Sequence, residues 1–235
     1  MSTQRVDDPR NILSADNGST MRVQTGIIGS GTTSPVSHLI SKGSVINLGG
    51  NDYQVNELIA SSGESEVFDA ERAGNRYVLK YYFSNYKPKD EVIRKLQNLH
   101  RADVMSPLEY GLYGDRFWEI NEFMSGGTFD KVIPLKDISR MKMLLRQVNE
   151  AIHACHVNGI IHRDIKPANI FFRTTNRDDI VLGDFGIASP LQQGESYRVT
   201  TVARTSTYAA PELFTNINNL TTLDAKVDYL SLIHI

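Results

Sequence analysis

Residues 162 to 169 read His162-Arg163-Asp164-Ile165-Lys166-Pro167-Ala168-Asn169, and this stretch decides the fold. A carboxylate, an ammonium group and an amide stand at fixed steps within one short segment. Asp164 can accept a proton, Lys166 can neutralise negative charge, and Asn169 can offer an oxygen to a metal ion. A single short motif is only a hypothesis, so its weight depends on the sequence around it.

This loop resembles the catalytic-loop pattern of protein kinases, H-R-D-L-x-x-x-N, with Ile165 in the Leu position. Further landmarks of that family follow in family order over about residues 45 to 229. They are Val78-Leu79-Lys80, which resembles V-A-I-K, Asp184-Phe185-Gly186, which matches D-F-G, and Ala210-Pro211-Glu212, which matches A-P-E. Taken singly, each is more often a turn, a cap or a solvated residue. Their joint order favours the kinase interpretation.

The resemblance implies transfer of the γ-phosphoryl group of ATP to Ser or Thr hydroxyls of proteins. Asp164 would orient and deprotonate the hydroxyl, while Lys80 and Lys166 would balance the phosphate charge. Asn169 and Asp184 would hold two Mg²⁺ ions. ATP and Mg²⁺ are therefore the expected cofactors, and protein substrates the expected partners.

The Ser/Thr assignment rests on Lys166, two residues after the catalytic Asp, as is typical of Ser/Thr kinases. Thr205 stands where those kinases keep a Thr that touches the catalytic Asp and Lys. Arg163 precedes the catalytic Asp, and kinases with that Arg often use it to bind a phosphate on the activation loop. Thr201 or Thr200 is therefore the predicted autophosphorylation site. The alternative is an exposed loop that merely contains threonines.

The resemblance also implies a nucleotide-binding set. Glu122-Phe123-Met124 resembles the hinge that binds adenine through its backbone, and the polar Asn121 would guard the pocket behind the adenine. The expected nucleotide-binding residues are Ala60, Ser62, Gly63, Ser65, Val67, Val78, Lys80, Glu91, Glu122, Met124 and Phe171.

The glycine-rich loop departs from the family. The pattern G-x-G-x-x-G-x-V becomes Ala60-Ser61-Ser62-Gly63-Glu64-Ser65-Glu66-Val67, so all three expected glycines are replaced. Backbone amides could still face the phosphates, but Cβ atoms limit the close approach that Gly permits. Glu64 adds charge of the wrong sign. We expect weaker ATP affinity with catalysis retained.

The sequence leaves two alternatives for the acidic partner of Lys80, and they differ by one residue in the register of the helix that follows. Glu91 opens the helix that follows and is the first candidate. However, Leu96 and Leu99 sit one step later than the family spacing from that Glu. If the leucines set the register, Val92 takes the Glu position and the ion pair is absent or supplied otherwise.

Short strands followed by amphipathic helices predict an α+β fold. The resemblance implies two lobes: an antiparallel sheet with one helix at 44–124, and a mostly helical lobe at 125–235. Residues 1–43 are rich in Ser, Thr, Gly and Asn and predict a disordered leader. Within it, Ile27-Ile28 or Leu39-Ile40 is a candidate docking piece.

Lys226-Val227-Asp228-Tyr229 resembles the start of the central lower-lobe helix, in which the Asp braces the catalytic loop. The family landmarks stop there. We therefore expect an incomplete lower lobe, as a gene fragment or as a naturally minimal kinase. Ile187-Ala188 after the D-F-G motif resembles bacterial members.

Composition excludes several classes. A formal charge of -2 gives no electrostatic case for nucleic acid, and no apolar run approaches the ~20 residues of a membrane span. The N-terminus lacks the pattern of a secretory signal, so a cytoplasmic setting is the default. Cys155 is a single cysteine between two His, and a small buried helix residue is favoured over a metal or nucleophile site. The sequence leaves the oligomeric state open.

Two other functions compete with an active Ser/Thr kinase. The degraded glycine-rich loop and the incomplete lower lobe suit a pseudokinase or kinase-like scaffold, whereas the intact Asp164 and Asp184 argue against it. A small-molecule phosphotransferase of the aminoglycoside-kinase type usually lacks the Arg-Asp-x-Lys arrangement and the A-P-E motif, so it ranks lowest.

Overall fold

The structure is a computed structural model that describes residues 38–190, 207–210 and 224–235. Its longer elements, in chain order, are strands β1 (Val45–Leu48), β2 (Asn51–Ser61), β3 (Ser65–Arg72) and β4 (Asn75–Tyr82), helix α1 (Asp90–Leu99), strands β5 (Glu109–Tyr113) and β6 (Arg116–Glu122), and helices α2 (Ile138–Val157) and α3 (Lys226–Ile233). Short strands complete the described part: β7 (Gly127–Thr128), β8 (Ile160–Ile161), β9 (Ile170–Phe172), β10 (Ile180–Leu182) and β11 (Ser189–Pro190).

The first lobe is a six-stranded antiparallel sheet in the order β1-β2-β3-β4-β6-β5. One face is apolar because alternate residues of a strand point to the same side. Tyr53, Phe68 and Leu79 are fully buried on it and form one cluster with Trp118. The opposite face of β4 and β6 carries polar residues, among them Lys80, and it faces the candidate site.

The end of the predicted leader belongs to this sheet. Ile40 is buried in the cluster beneath the sheet, and Leu39 packs beside it. The Leu39 amide also donates to Glu66 Oε2 at 2.8 Å. Leu39 and Ile40 thus pack on the sheet although they precede the predicted boundary at residue 43. Of the two candidate docking pieces, Leu39-Ile40 packs here and Ile27-Ile28 lies outside the described residues.

Local sequence signals bound helix α2 at both ends. Asp137 caps its first turn, with Oδ1 accepting from the amides of Ser139 at 2.9 Å and Arg140 at 3.1 Å. Gly159 follows the last turn with φ of +71°, a conformation that favours glycine. Cys155 lies buried on α2, and burial raises the pKa of its thiol to about 12, as expected for a core residue.

The described part of the lower lobe contains α2, α3 and two small antiparallel sheets, in the orders β10-β9-β7 and β11-β8. Its core joins α2 to β9 and β10 through Leu144, Val148 and Phe172. Val92 and Leu96 of α1 belong to the same core. The α+β class is confirmed. In the described part of the chain, no helix has both the length and the apolar character needed to span a bilayer.

Candidate active site

The loop at 162–169 lies between β8 and β9 and ends in a single 3₁₀ turn, Pro167–Asn169. Its three reactive side chains converge on one oxygen. Lys166 Nζ donates to Asp164 Oδ2 at 2.7 Å, and Asn169 Nδ2 donates to the same atom at 3.0 Å. Asn169 Nδ2 also donates to the Asp164 carbonyl at 2.9 Å, which fixes the amide plane. The carboxylate is thus held at a cationic and polar centre.

Asp228, on α3, anchors the start of this loop. Its Oδ2 accepts from the His162 amide at 2.8 Å and its Oδ1 from the Arg163 amide at 2.7 Å. His156 Nε2 lies 2.8 Å from the same Oδ2. Asp228 is fully buried, so these bonds are strong and costly to lose. The predicted contact of Asp228 with the catalytic loop is confirmed.

Asp184 follows β10 and faces Lys80 of β4. The two side chains form an ion pair, with Lys80 Nζ 2.7 Å from Asp184 Oδ1. Lys80 lowers the pKa of Asp184 to about 2, against the opposing effect of burial. Asp184 has φ of +63°, a left-handed conformation that is uncommon for a non-glycine residue and is often found at functional sites.

The residues present fit Mg²⁺, which prefers oxygen ligands from one or two carboxylates together with phosphates. Asp184 is held ionised by its low pKa. Asn169 directs its amide nitrogen at Asp164, so its amide oxygen is the atom left to face a cation. The Gly183 amide donates to the Asn169 carbonyl at 2.9 Å and links the two candidate ligands through the backbone.

Phe185 connects this centre to the core. Its ring lies 4.5 Å from the ring of His162, measured between centroids, and both side chains are buried. His162 Nε2 is 2.9 Å from the Gly183 carbonyl. The D-F-G segment and the catalytic loop are therefore packed as one unit, with Leu96 of α1 in the same cluster as Phe185.

The predicted nucleotide-binding residues lie on several elements. Val67 of β3 is the cross-strand partner of Lys80, and Val78 shares a face of β4 with Lys80 because it is two residues away. Ala60 pairs with Val67 in the β2–β3 hairpin. These residues therefore share the face of the sheet that carries Lys80, and their contact with a nucleotide stays a prediction.

The hinge candidates are held by the lower lobe. The Glu122 carboxylate forms an ion pair with Arg173, and Met124 is buried, with its carbonyl accepting from the Gly127 amide at 3.3 Å. Phe171 lies on β9, paired with β7. Thr205, Thr200 and Thr201 lie outside the described residues, as do Pro211 and Glu212.

Comparison with known proteins agrees with this geometry. The family model described as protein kinase domain matches residues 53–234, which is more than half of the chain. The chain belongs to the protein kinase family.

Curated relatives of this kinase are serine/threonine kinases. It is 29% identical to human serine/threonine-protein kinase H1, over 68% of this chain and 40% of the human protein. It is 28% identical to the probable serine/threonine-protein kinase of Clostridium perfringens, over 69% of this chain and 25% of that protein. For serine/threonine-protein kinase shk1/pak1 of Schizosaccharomyces pombe the identity is 27%, over 67% of this chain and 25% of that protein. The chain thus spans between a quarter and two fifths of these relatives.

Glu91 does not pair with Lys80, so the prediction that Glu91 is the acidic partner of Lys80 is corrected. Its Oε1 lies 3.2 Å from Nζ of Lys95, one turn along α1, and its side chain is 40% exposed. Val92 instead is fully buried and lies in the core cluster with Leu96. The apolar face of α1 therefore sets the register, as the alternative had it.

The glycine-rich loop also differs from expectation. The amides of Glu64 and Ser65 donate to Ser62 Oγ at 3.2 and 3.1 Å, and the Ser62 amide donates to the Ser65 carbonyl at 2.9 Å. The expectation that backbone amides would face the phosphates is therefore wrong for these two. A serine in place of glycine supplies a local acceptor that closes the loop on itself.

Glu64 reaches the charged centre of the kinase site. A Cβ atom placed on Gly186 would lie 3.9 Å from Glu64 Oε2 and 3.5 Å from Lys80 Nζ. The two charged groups therefore approach the same space beside Gly186. Burial raises the pKa of Glu64, Lys80 opposes that effect, and Asp184 and Asp164 reinforce it. The carboxylate thus shares the space in which phosphate charge would be bound.

The sequence interpretation missed Glu119 of β6. Glu119 lines a small cavity together with Asn121, Asp184 and Phe185. Asn121 is buried, with 5% exposure, although it lies at the back of the site. Two polar residues at positions i and i+2, alternating with the apolar Trp118 and Ile120, are the signal that could have identified this face.

Proposed function

We propose that this kinase transfers the γ-phosphoryl group of Mg·ATP to Ser and Thr hydroxyls of proteins. The observation that carries the proposal is the meeting of Lys166 and Asn169 on one oxygen of Asp164. A carboxylate held in this way can accept the proton of an incoming hydroxyl, because its second oxygen can face the substrate. The neighbouring Lys166 ammonium then offsets the negative charge of the phosphoryl group.

The site roles in this proposal follow the kinase template. Asp164 is the base, Lys166 and Lys80 balance phosphate charge, and Thr205, which lies outside the described residues, would contact the catalytic Asp and Lys. Asn169 and Asp184 would hold Mg²⁺, which supplies charge neutralisation on the β- and γ-phosphates. The upper boundary of the nucleotide is formed by the β2–β3 hairpin, and the adenine lies against the hinge at 122–124.

Autophosphorylation at Thr201 or Thr200 is part of the proposal. Arg163 Nη1 and Lys89 Nζ both donate to Ser189 Oγ, each at 2.9 Å. Two cations directed at one hydroxyl make a basic centre of the kind that binds a phosphate on a nearby segment. A Thr200→Ala/Thr201→Ala double substitution should remove the label and lower activity, and full activity in it would contradict this part.

The kinases related by sequence support the Ser/Thr class, and their substrates are not carried over. A cytoplasmic setting stays a prediction. The competing function is a pseudokinase, and one observation favours it: Ser62 and Glu64 close the nucleotide cover on itself and direct a carboxylate at Lys80.

The deciding experiment incubates the full chain with Mg²⁺, [γ-³²P]ATP and a general protein substrate such as casein, followed by phosphoamino-acid analysis. We expect labelled phosphoserine or phosphothreonine in the wild type and none in Asp164→Asn or Asp184→Ala. Binding of Mg·ATP without transfer would establish the pseudokinase instead. Labelling on tyrosine would contradict the Ser/Thr assignment.

A further inference from the structure

Helix α1, which the structure describes in full, supplies no acidic partner for Lys80. Glu91 pairs with Lys95, and the buried Val92 occupies the inward position of the helix. In the structure Lys80 pairs with Asp184. Asp184 is also the candidate Mg²⁺ ligand, and a carboxylate that faces a cation has less to offer an ammonium group. A second acid is therefore needed to orient Lys80 during catalysis.

Glu119 is the acid that the sheet places beside Lys80. The two residues are direct cross-strand partners of the antiparallel pair β4 and β6. Directly opposed residues project from the same face of a sheet with Cβ atoms about 4.5–5.5 Å apart. The Glu119 side chain lines the cavity that also contains Asp184 and Gly186, so it lies on the site face of the sheet.

Neighbouring side chains hold the Glu119 carboxylate in this place. Tyr82 Oη donates to Glu119 Oε1 at 3.4 Å, and Asn121, two residues along β6, lies on the same face of the sheet and lines the same cavity. The Lys80 ammonium lies 5.1 Å from the centre of the Tyr82 ring. Lys80, Tyr82, Glu119 and Asn121 therefore form one polar cluster on the inner face of β4 and β6.

The charges of the cluster are mutually dependent. Burial disfavours the charged form of Lys80, yet the pKa of Lys80 is raised well above its usual value because Asp184, then Tyr82 and Glu119, outweigh burial. Burial raises the pKa of Glu119, and Lys80 is the largest opposing influence. A carboxylate in an enclosed site is costly unless a cation lies near it, and Lys80 is the cation opposite Glu119 on β4.

We propose that Glu119 of β6 is the acidic residue that positions Lys80 on the nucleotide phosphates once Asp184 engages Mg²⁺. Glu119 thereby takes the role for which the sequence first suggested Glu91. It is a positioning residue, since it acts through Lys80 and not on the substrate. This inference rests on the proposed kinase function.

The first test measures kcat and KM for ATP in the full chain with Glu119→Gln, Glu119→Asp and Glu91→Gln. Loss of one charge-assisted contact should lower kcat/KM of Glu119→Gln by about 10- to 100-fold. Glu119→Asp keeps the charge and should recover a large part of that loss, although it shortens the side chain. A purely packing role would make the Asp variant at least as damaging as the Gln variant and would overturn the proposal.

Glu91→Gln is the control variant in the same experiment. The proposal expects kcat/KM within about twofold of wild type, because a solvent-exposed helix pair contributes little. A large loss in Glu91→Gln with little loss in Glu119→Gln would return the role to α1 and overturn the proposal.

The second test is independent of turnover. Because Asp184 pairs with Lys80 in the structure, the test uses the full chain with Asp184→Ala, in which that partner is removed. Lys80 is labelled competitively with acetic anhydride at fixed pH, and the Lys80 peptide is quantified by mass spectrometry. Adding Glu119→Gln should make Lys80 label severalfold faster, because loss of the Glu119 charge makes the ammonium easier to deprotonate, and adding Glu91→Gln should not. An unchanged rate on adding Glu119→Gln overturns the inference. A wild-type protein without kinase activity would count against the proposed function, and this labelling result would then decide the inference alone.

Discussion

The catalytic loop at 162–169 and the hairpin loop at 60–67 differ in where their hydrogen bonds are directed. The catalytic loop is held by hydrogen bonds to the buried Asp228, which lies outside the loop, and its own side chains meet at Asp164. The second is tied from within, by Ser62, and turns Glu64 toward the cation that a phosphate would use. The comparison teaches that the side chains proposed for the chemistry are brought together, whereas the loop proposed to cover the nucleotide is closed on itself.

The largest expected effect is a loss of phosphoryl transfer without a loss of Mg·ATP binding. Asp164→Asn removes the base but keeps the side-chain shape, so phosphoryl transfer should fall by about 10²- to 10⁴-fold. The dissociation constant for Mg·ATP should stay within about threefold of wild type, as measured by calorimetric titration. A parallel loss of ATP binding would mean that Asp164 holds the nucleotide and would remove the distinction between the two loops.

The second prediction tests the hydrogen bonds by which Asp228 holds the catalytic loop. Asp228→Asn replaces an acceptor-only carboxylate with an amide whose nitrogen would face a backbone N–H group, so the free energy of unfolding should fall by about 2–3 kcal/mol. Urea denaturation measures it. Asp224→Asn is the matched control near the start of α3, where the side chain is half exposed and the Asn oxygen can still accept from the Lys226 amide. Equal losses in both variants would contradict the brace.

The third prediction sharpens the other side of the comparison. Glu64→Gln and Ser62→Ala should each tighten Mg·ATP binding by about three- to tenfold, which corresponds to roughly 1 kcal/mol. The first removes a competing charge and the second frees two backbone amides. The measurement is the same calorimetric titration. Weaker binding in both variants would show that the closed loop assists the nucleotide.

The pH dependence of this effect has a definite sign. The pKa of Glu64 is raised, so its carboxylate becomes neutral at a higher pH than an ordinary Glu as the pH falls. The advantage of Glu64→Gln over wild type should therefore shrink as the pH falls toward that pKa and be complete well above it. Because ATP itself also titrates, the ratio of the two dissociation constants is the quantity to follow.

The smallest prediction concerns acid stability of the nucleotide-free protein. The folded pKa of Asp184 is lowered to about 2, so its pairing with Lys80 stabilises the fold above the unfolded pKa of about 3.9. That contribution should be lost between about pH 4 and pH 2. Asp184→Asn should show a shallower decline over the same range in thermal unfolding. Identical slopes would mean that the pair contributes nothing to folding, as solvent screening of the partly exposed Asp184 would allow.

Local signals explain what the sequence could predict. Helix α2 carries a capping Asp137 and a terminal Gly159, and signals of this kind can be recognised in a sequence because they act within a few residues. The α1 register was ambiguous, since Glu91 and Val92 differ by one step and only packing against the lower core selects Val92. Glu119 needed its strand partner Lys80 to be known, and that pairing is non-local. The closure of the hairpin by Ser62 depends on backbone geometry that motif spacing does not describe.

The central claim is that this kinase retains its chemistry and holds its nucleotide weakly. The most direct measurement is the initial rate of radiolabel transfer to protein as Mg·ATP is raised to several times the expected KM. The account predicts a rate that saturates, with KM at or above about 1 mM, the upper end of the usual range. Tight binding of Mg·ATP together with transfer no greater than in Asp164→Asn would contradict it.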